Sequence, residues 1–228
     1  MSMSPRHPVD PVDDRAEAPA PESPSRRRFV RNVGLGAAAL GAVAVTGSAL
    51  TGTAAAQTAA AEPPDLDTAD VSLVQFLQSV SLAGKEGLTT ASRKPGVTSQ
   101  VAEDLRVIAR HHGDQATALA ALLPTDEPAT VANPRLLAQL EGQIDGAGDE
   151  AALLAVLLEF EEQVAATMLQ AMQDADSWVV AAAVASVLPV VGQQAAALGS
   201  MAGTPIGDWL PAFGSTDGAL SPTAYPAR

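Results

Sequence analysis

The sequence predicts an all-α protein, with a four-helix bundle over residues 67–202. From Asp67 onward, apolar side chains recur with helical spacing along four long segments. No run of alternating apolar and polar residues bounded by turn residues indicates a strand. Residues 57–228 number 172, enough for one domain with a substantial core, and four long amphipathic helices in a domain of this size are typical of a bundle.

Three segments before the bundle are predicted to lie outside it. Residues 1–24 are rich in proline and poor in large apolar side chains, which predicts a disordered extension. Residues 25–56 contain Arg26 and Arg27 before Phe29, followed by an uncharged stretch rich in alanine and glycine. This pattern is typical of a twin-arginine export signal. Residues 57–66 are interpreted as a linker.

The export signal predicts that the protein crosses the cytoplasmic membrane by the twin-arginine route. Its location would then be the periplasm, the cell wall or the extracellular side. Small residues at 54–56 fit a cleavage site, and an uncleaved signal serving as an anchor is the alternative, because the apolar stretch approaches the length of a membrane span. The chain has no cysteine, which excludes disulfides, thiolate catalysis and cysteine-ligated metal.

The first two long helices are bounded by clear start and stop signals. The first is predicted over residues 68–92 and ends before Pro95. The second is predicted from Thr98 or Ser99 to Leu123, because a hydroxyl side chain caps its start and a proline follows its end.

The remaining elements follow a longer connection. A short helix is predicted over residues 134–140, within the connection between the second and third long helices. The third long helix is predicted over 149–174 and the fourth over 177–201, with Pro189 inside it. Residues 203–228 are rich in proline and glycine and are predicted to form an irregular tail.

The charge of the chain limits its partners. Residues 57–228 carry 7 basic and 21 acidic side chains, a formal charge of −14. Such a surface repels phosphate groups, so we expect no nucleic acid partner and no membrane contact except through an uncleaved signal. No nucleophile with a neighbouring base and no phosphate-binding loop is present, so we expect no catalytic residues.

Several phrases of the helices have a distinctive order and spacing. They are Ser79-Val-Ser-Leu-Ala83, His111-His-Gly-Asp-Gln-Ala-Thr-Ala-Leu119, Leu157-Leu-Glu-Phe-Glu161, Ala185-Ser-Val-Leu-Pro-Val190 and Gln193-Gln-Ala-Ala-Ala-Leu198. With the tail phrase Gly218-Ala-Leu-Ser-Pro222, they resemble the bacterial exported ferritin-like family over about residues 67–226. The resemblance implies a ferritin-like four-helix bundle.

Ferritin-like di-iron proteins direct glutamates and Glu-x-x-His motifs from four helices into the core. The resemblance places two of those ligands on His112 and Glu161 in this chain. At the other matched ligand positions this sequence has neutral or apolar residues. These substituted positions are Ser81, Gln115, Val191 and Gln194.

The remaining ligands carry too little charge for a di-iron centre. Glu161 supplies about one negative charge against about four positive charges of two divalent cations, and amide oxygens are weak ligands. We therefore expect no cofactor, with iron or manganese on the residual ligands as the alternative. A buried Glu161 needs a partner, and we expect His112 to supply it in a polar core with Gln115 and Gln194.

The predicted function is that of an exported, non-catalytic binding or structural module of the cell envelope with a degenerate di-iron site. Its partner would be an envelope component or a small apolar ligand, and the sequence makes no prediction of oligomeric state. The alternative is a ferritin-like oxidase or iron-handling protein. His111 and Asp114 are predicted to lie on the surface. The helix glycines either allow close helix packing or leave a cavity, and they are Gly84, Gly87, Gly192 and Gly199.

Overall fold

The computed structural model describes residues 64–125, 130–205 and 215–227. These residues form five α-helices and no strand, which confirms the all-α prediction. The helices are α1 (Thr68–Ala91), α2 (Ser99–Ala120), α3 (Pro134–Gly146), α4 (Glu150–Asp174) and α5 (Trp178–Ala202). The predicted extension and export signal, including Arg26, Arg27 and Phe29, lie outside the described residues.

Two helix ends differ from the sequence prediction. The α2 helix ends at Ala120 rather than Leu123, because the backbone N–H groups of Leu122 and Leu123 donate to carbonyls three residues back instead of four. The α3 helix continues to Gly146 rather than ending near Leu140. Its apolar stripe extends one more turn to Ile144, which is buried, so packing overrides the helix-weakening Gly142.

The helices pack as two pairs. Contacts are most extensive between α1 and α2 and between α4 and α5, and the short connections within each pair make its helices antiparallel neighbours. The pairs meet where α1 contacts α4 and α2 contacts α5, while α3 lies against α1 and α4. The core between them is built mainly of leucine, valine and alanine side chains.

Side-chain caps fix where each helix begins. Every cap accepts a hydrogen bond from a backbone N–H two or three residues ahead, which satisfies a donor that the helix itself leaves free. The caps are Asp67, Thr98, Asn133, Asp149 and Ser177. The buried carboxylate of Asp70 in α1 also accepts the backbone N–H groups of Asp176 and Ser177, at 3.1 and 2.7 Å. This contact holds the beginnings of α1 and α5 together.

The described part of the tail, residues 215–227, is irregular and is attached to the helices by hydrogen bonds. The buried side chain of Asn133 donates to the backbone carbonyls of Tyr225 and Pro226, at 2.9 and 3.2 Å. The backbone N–H of Leu220 donates to the Thr167 hydroxyl of α4 at 2.8 Å, and the Leu220 side chain is buried. The tail therefore covers part of the core.

Among the described residues, one helix, α5, is long and apolar enough to span a membrane, with a mean hydropathy of 1.7. Its buried residues pack against the other helices, and the core helix of a soluble protein meets the same length and composition test.

Candidate functional site

A buried hydrogen bond joins α2 to α4 at the centre of the molecule. Nε2 of His112 lies 2.7 Å from Oε1 of Glu161, and both side chains are fully buried. The pairing expected from the sequence is therefore present. The bond offsets part of the cost of burying these two polar groups. The second polar atom of each side chain, Nδ1 of His112 and Oε2 of Glu161, is buried without a hydrogen-bond partner among the described residues.

Gly84 of α1 determines how closely the His112 ring approaches that helix. A Cβ atom at position 84 would lie 2.8 Å from Nδ1 and 2.9 Å from Cε1 of the ring, closer than real Cβ contacts. Gly87, one turn further, likewise faces the side chain of Leu140. At these two of the four glycines, the structure shows close packing rather than a cavity.

A second polar pair joins α2 to α5. Nε2 of Gln115 donates to Oε1 of Gln194 over 3.5 Å, and both side chains are buried. The other amide atoms, Oε1 of Gln115 and Nε2 of Gln194, have no hydrogen-bond partner among the described residues. This pair is therefore only partly satisfied within the described protein.

We define the polar cluster as His112, Glu161, Gln115 and Gln194. The other two matched positions, Ser81 and Val191, form no hydrogen bond to it among those observed. The Ser81 hydroxyl donates to the carbonyl of Leu77 in its own helix at 3.0 Å. Val191 is fully buried and apolar. All six positions named by the resemblance thus lie in the core, but only four form hydrogen bonds between helices.

The side chains of the polar cluster are not a suitable set of ligands for two divalent cations. They offer a single carboxylate and a single imidazole, and these two groups bind each other directly. The described residues contain no group of three or more histidine, cysteine, aspartate or glutamate side chains placed to hold a metal ion. Two cations need several carboxylates to balance their charge in a low-dielectric core.

His111 does not lie on the surface, contrary to the sequence prediction. Its side chain is 6% exposed, because the ring packs at the contact between α2 and α5. Burial lowers the pKa of His111 from its ordinary value of 6.5. The nearby Asp114 carboxylate opposes this shift, while His112 and Arg110 add to it. Helix spacing alone does not reveal which residues of α5 lie near His111.

We expect His111 to make the protein less stable in mild acid. Because its pKa is lower in the folded protein, the unfolded chain takes up the proton first, so this contribution to stability is complete above pH 6.5 and is lost as the pH falls through the folded pKa. Urea unfolding at about pH 7.5 and about pH 5 measures the loss. The loss of unfolding free energy between the two pH values should be smaller in His111→Leu than in the wild-type protein. An equal loss in both proteins would contradict the role assigned to His111.

Comparisons of the chain with protein-family models, with curated proteins and with solved structures found no match.

Proposed function

We propose that this chain is an exported ferritin-like domain protein that acts as a non-catalytic binding or structural module of the cell envelope. Two features support the ferritin-like assignment. The helices form two antiparallel pairs, and the long connection between the pairs carries the extra helix α3. The residues matched to the family's ligand positions are all buried.

The observation that carries the non-catalytic assignment is the direct bond between His112 and Glu161. Nε2 of His112 and Oε1 of Glu161 lie 2.7 Å apart and bind each other, which leaves only Nδ1 of His112 and Oε2 of Glu161 without a hydrogen-bond partner among the described residues. One imidazole nitrogen and one carboxylate oxygen are too few ligands for two divalent cations. The other matched residues supply amide, hydroxyl or apolar groups. In this proposal a hydrogen bond replaces a metal bridge between the two helix pairs.

The twin-arginine pattern supports the proposed location. Arg26 and Arg27 precede Phe29, and an uncharged stretch of the kind found in twin-arginine signals follows. An envelope component or a small apolar ligand would then be its partner.

Metal analysis of the exported protein tests this proposal. We expect far less than one iron or manganese per chain after exposure to excess metal, because one carboxylate cannot balance two cations. About two irons per chain would overturn the proposal in favour of an oxidase or iron-handling protein. A single metal that is lost in Glu161→Gln would instead establish a residual site. The matched location control is Arg26→Lys with Arg27→Lys, which should keep the protein in the cytoplasm, and continued export would refute the signal.

A further inference from the structure

An exposed tryptophan lies at the turn between α4 and α5. Trp178 is the first residue of α5 and is 70% exposed. Among the described residues, Val131 is the one other large apolar residue that is comparably exposed. Tryptophan is enriched among the residues that carry most of the binding energy at protein contacts. Its exposure here therefore favours a contact surface at this turn.

Two carboxylates accompany the tryptophan. Asp174 and Asp176 are exposed, and neither forms a salt bridge with a described residue. The helices α4 and α5 contain no lysine, arginine or histidine that could neutralise them. We define the acidic corner as Asp174, Asp176 and Trp178. It is complementary to arginine, because a planar guanidinium stacks on an aromatic ring and also forms paired hydrogen bonds with carboxylates.

The N-terminal part of the chain joins the described protein beside the acidic corner. The carboxylate of Asp70 in α1 accepts the backbone N–H groups of Asp176 and Ser177 at 3.1 and 2.7 Å. The first described residue is Pro64, six residues before Asp70, and six residues span at most about 20 Å. Residues 1–63 are therefore attached close to the corner.

The attached part contains the densest positive charge of the chain. Residues 25–31, which we call the arginine segment, carry four arginines and no acidic side chain. The arginines are Arg26, Arg27, Arg28 and Arg31. Residues 32–63 connect this segment to Pro64, and a chain of that length reaches about 100 Å when extended. Such a tether gives an effective concentration on the order of a millimolar, so even a weak contact is populated.

We propose that the arginine segment docks on the acidic corner of the same molecule for as long as it remains attached. Its guanidinium groups bind Asp174 and Asp176, and one of them stacks on the exposed indole ring of Trp178. The consequence rests on the proposed export signal. The corner is occupied before export, and cleavage near residues 54–56 frees it for an envelope partner.

Paramagnetic relaxation in the full, unprocessed chain tests the docking. Because the chain has no cysteine, Ser25→Cys provides a single attachment point for a spin label beside the arginines. We expect the label to broaden the amide signals of residues 174–178 and the indole N–H signal of Trp178. Absence of this broadening overturns the proposal. Equal broadening when a labelled chain is mixed with an unlabelled, isotope-enriched chain would show that a second copy supplies the arginines, and it would overturn docking within one molecule.

Two matched variants separate the acidic corner from general charge attraction. The first combines Asp174→Asn, Asp176→Asn and Trp178→Ala, all at exposed positions, and we expect the broadening of residues 174–178 to disappear. The second combines Glu103→Gln with Asp145→Asn. It removes the same number of exposed carboxylates near the other end of α1, about 36 Å away, and should leave the broadening unchanged.

Persistent broadening in the first variant, or its loss in the second, contradicts docking on the acidic corner. Urea unfolding confirms that both variants are folded before the spectra are compared. The spectra are recorded on purified protein and do not depend on transport. Failure of the docking therefore leaves the export proposal intact, and failure of export in the cell leaves the docking result unaffected.

Discussion

Replacing His112 by leucine is expected to lower the free energy of unfolding by about 3–5 kcal/mol. Leucine fills most of the space of the ring but cannot bind Glu161, whose carboxyl group would then lie fully buried without its partner. The loss of unfolding free energy therefore comes mainly from the buried carboxyl group that has lost its hydrogen-bond partner, rather than from lost packing. Glu161→Met should lower the free energy of unfolding by a similar amount, because it leaves the imidazole of His112 without its partner instead. Urea unfolding of the purified variants measures both losses.

The double variant His112→Leu with Glu161→Met separates this explanation from simple loss of contacts. It removes both polar groups together, so it should recover most of the stability lost in the single variants, because apolar replacement of a buried pair is often neutral or better. The matched control is the exposed pair Arg106 and Glu103, with side chains 48% and 58% exposed at 3.2 Å. The coupling free energy between the side chains of Arg106 and Glu103 should stay below about 1 kcal/mol. Additive losses at His112 and Glu161 would contradict the predicted role of the buried bond.

The helices and the central hydrogen bond could be predicted because each depends on local or pairwise rules. Thr98 and Ser177 mark helix starts through their hydroxyl caps, and a lone inward carboxylate at Glu161 requires a partner. The apolar spacing along α4 indicates which way that carboxylate points. The choice of His112 as the partner of Glu161 rests on the resemblance, which places both residues at ligand positions of one core.

The burial of His111 and the role of Gly84 could not be predicted in the same way. Helix spacing shows only that two adjacent histidines point about 100° apart, so one of them seemed free to face solvent. Which neighbour covers His111 depends on the angle between α2 and α5. Likewise, Gly84 is informative only once the His112 ring is known to lie opposite it. Both facts belong to packing between helices rather than to one segment.

Restoring the four substituted positions is expected to create an iron site that we expect the wild-type protein to lack. The change combines Ser81→Glu, Gln115→His, Val191→Glu and Gln194→His, all at positions that are buried in the core. With Glu161 and His112, the core would then offer three carboxylates and three imidazoles on four helices. We expect binding to rise from background to about two ferrous ions per chain, measured by metal analysis after anaerobic loading.

The matched control has side chains of nearly the same size without the new negative charges. It combines Ser81→Gln and Val191→Gln with the same Gln115→His and Gln194→His changes. Amides do not neutralise the cations, so this variant should bind little iron although its core volume is nearly the same. Three buried carboxylates without metal repel one another, so the restored variant should also gain thermal stability on adding iron, whereas the control should not. A folded restored variant that binds no iron would mean that Ser81, Val191 and their neighbours do not face one site, and the ferritin-like assignment would fail with it.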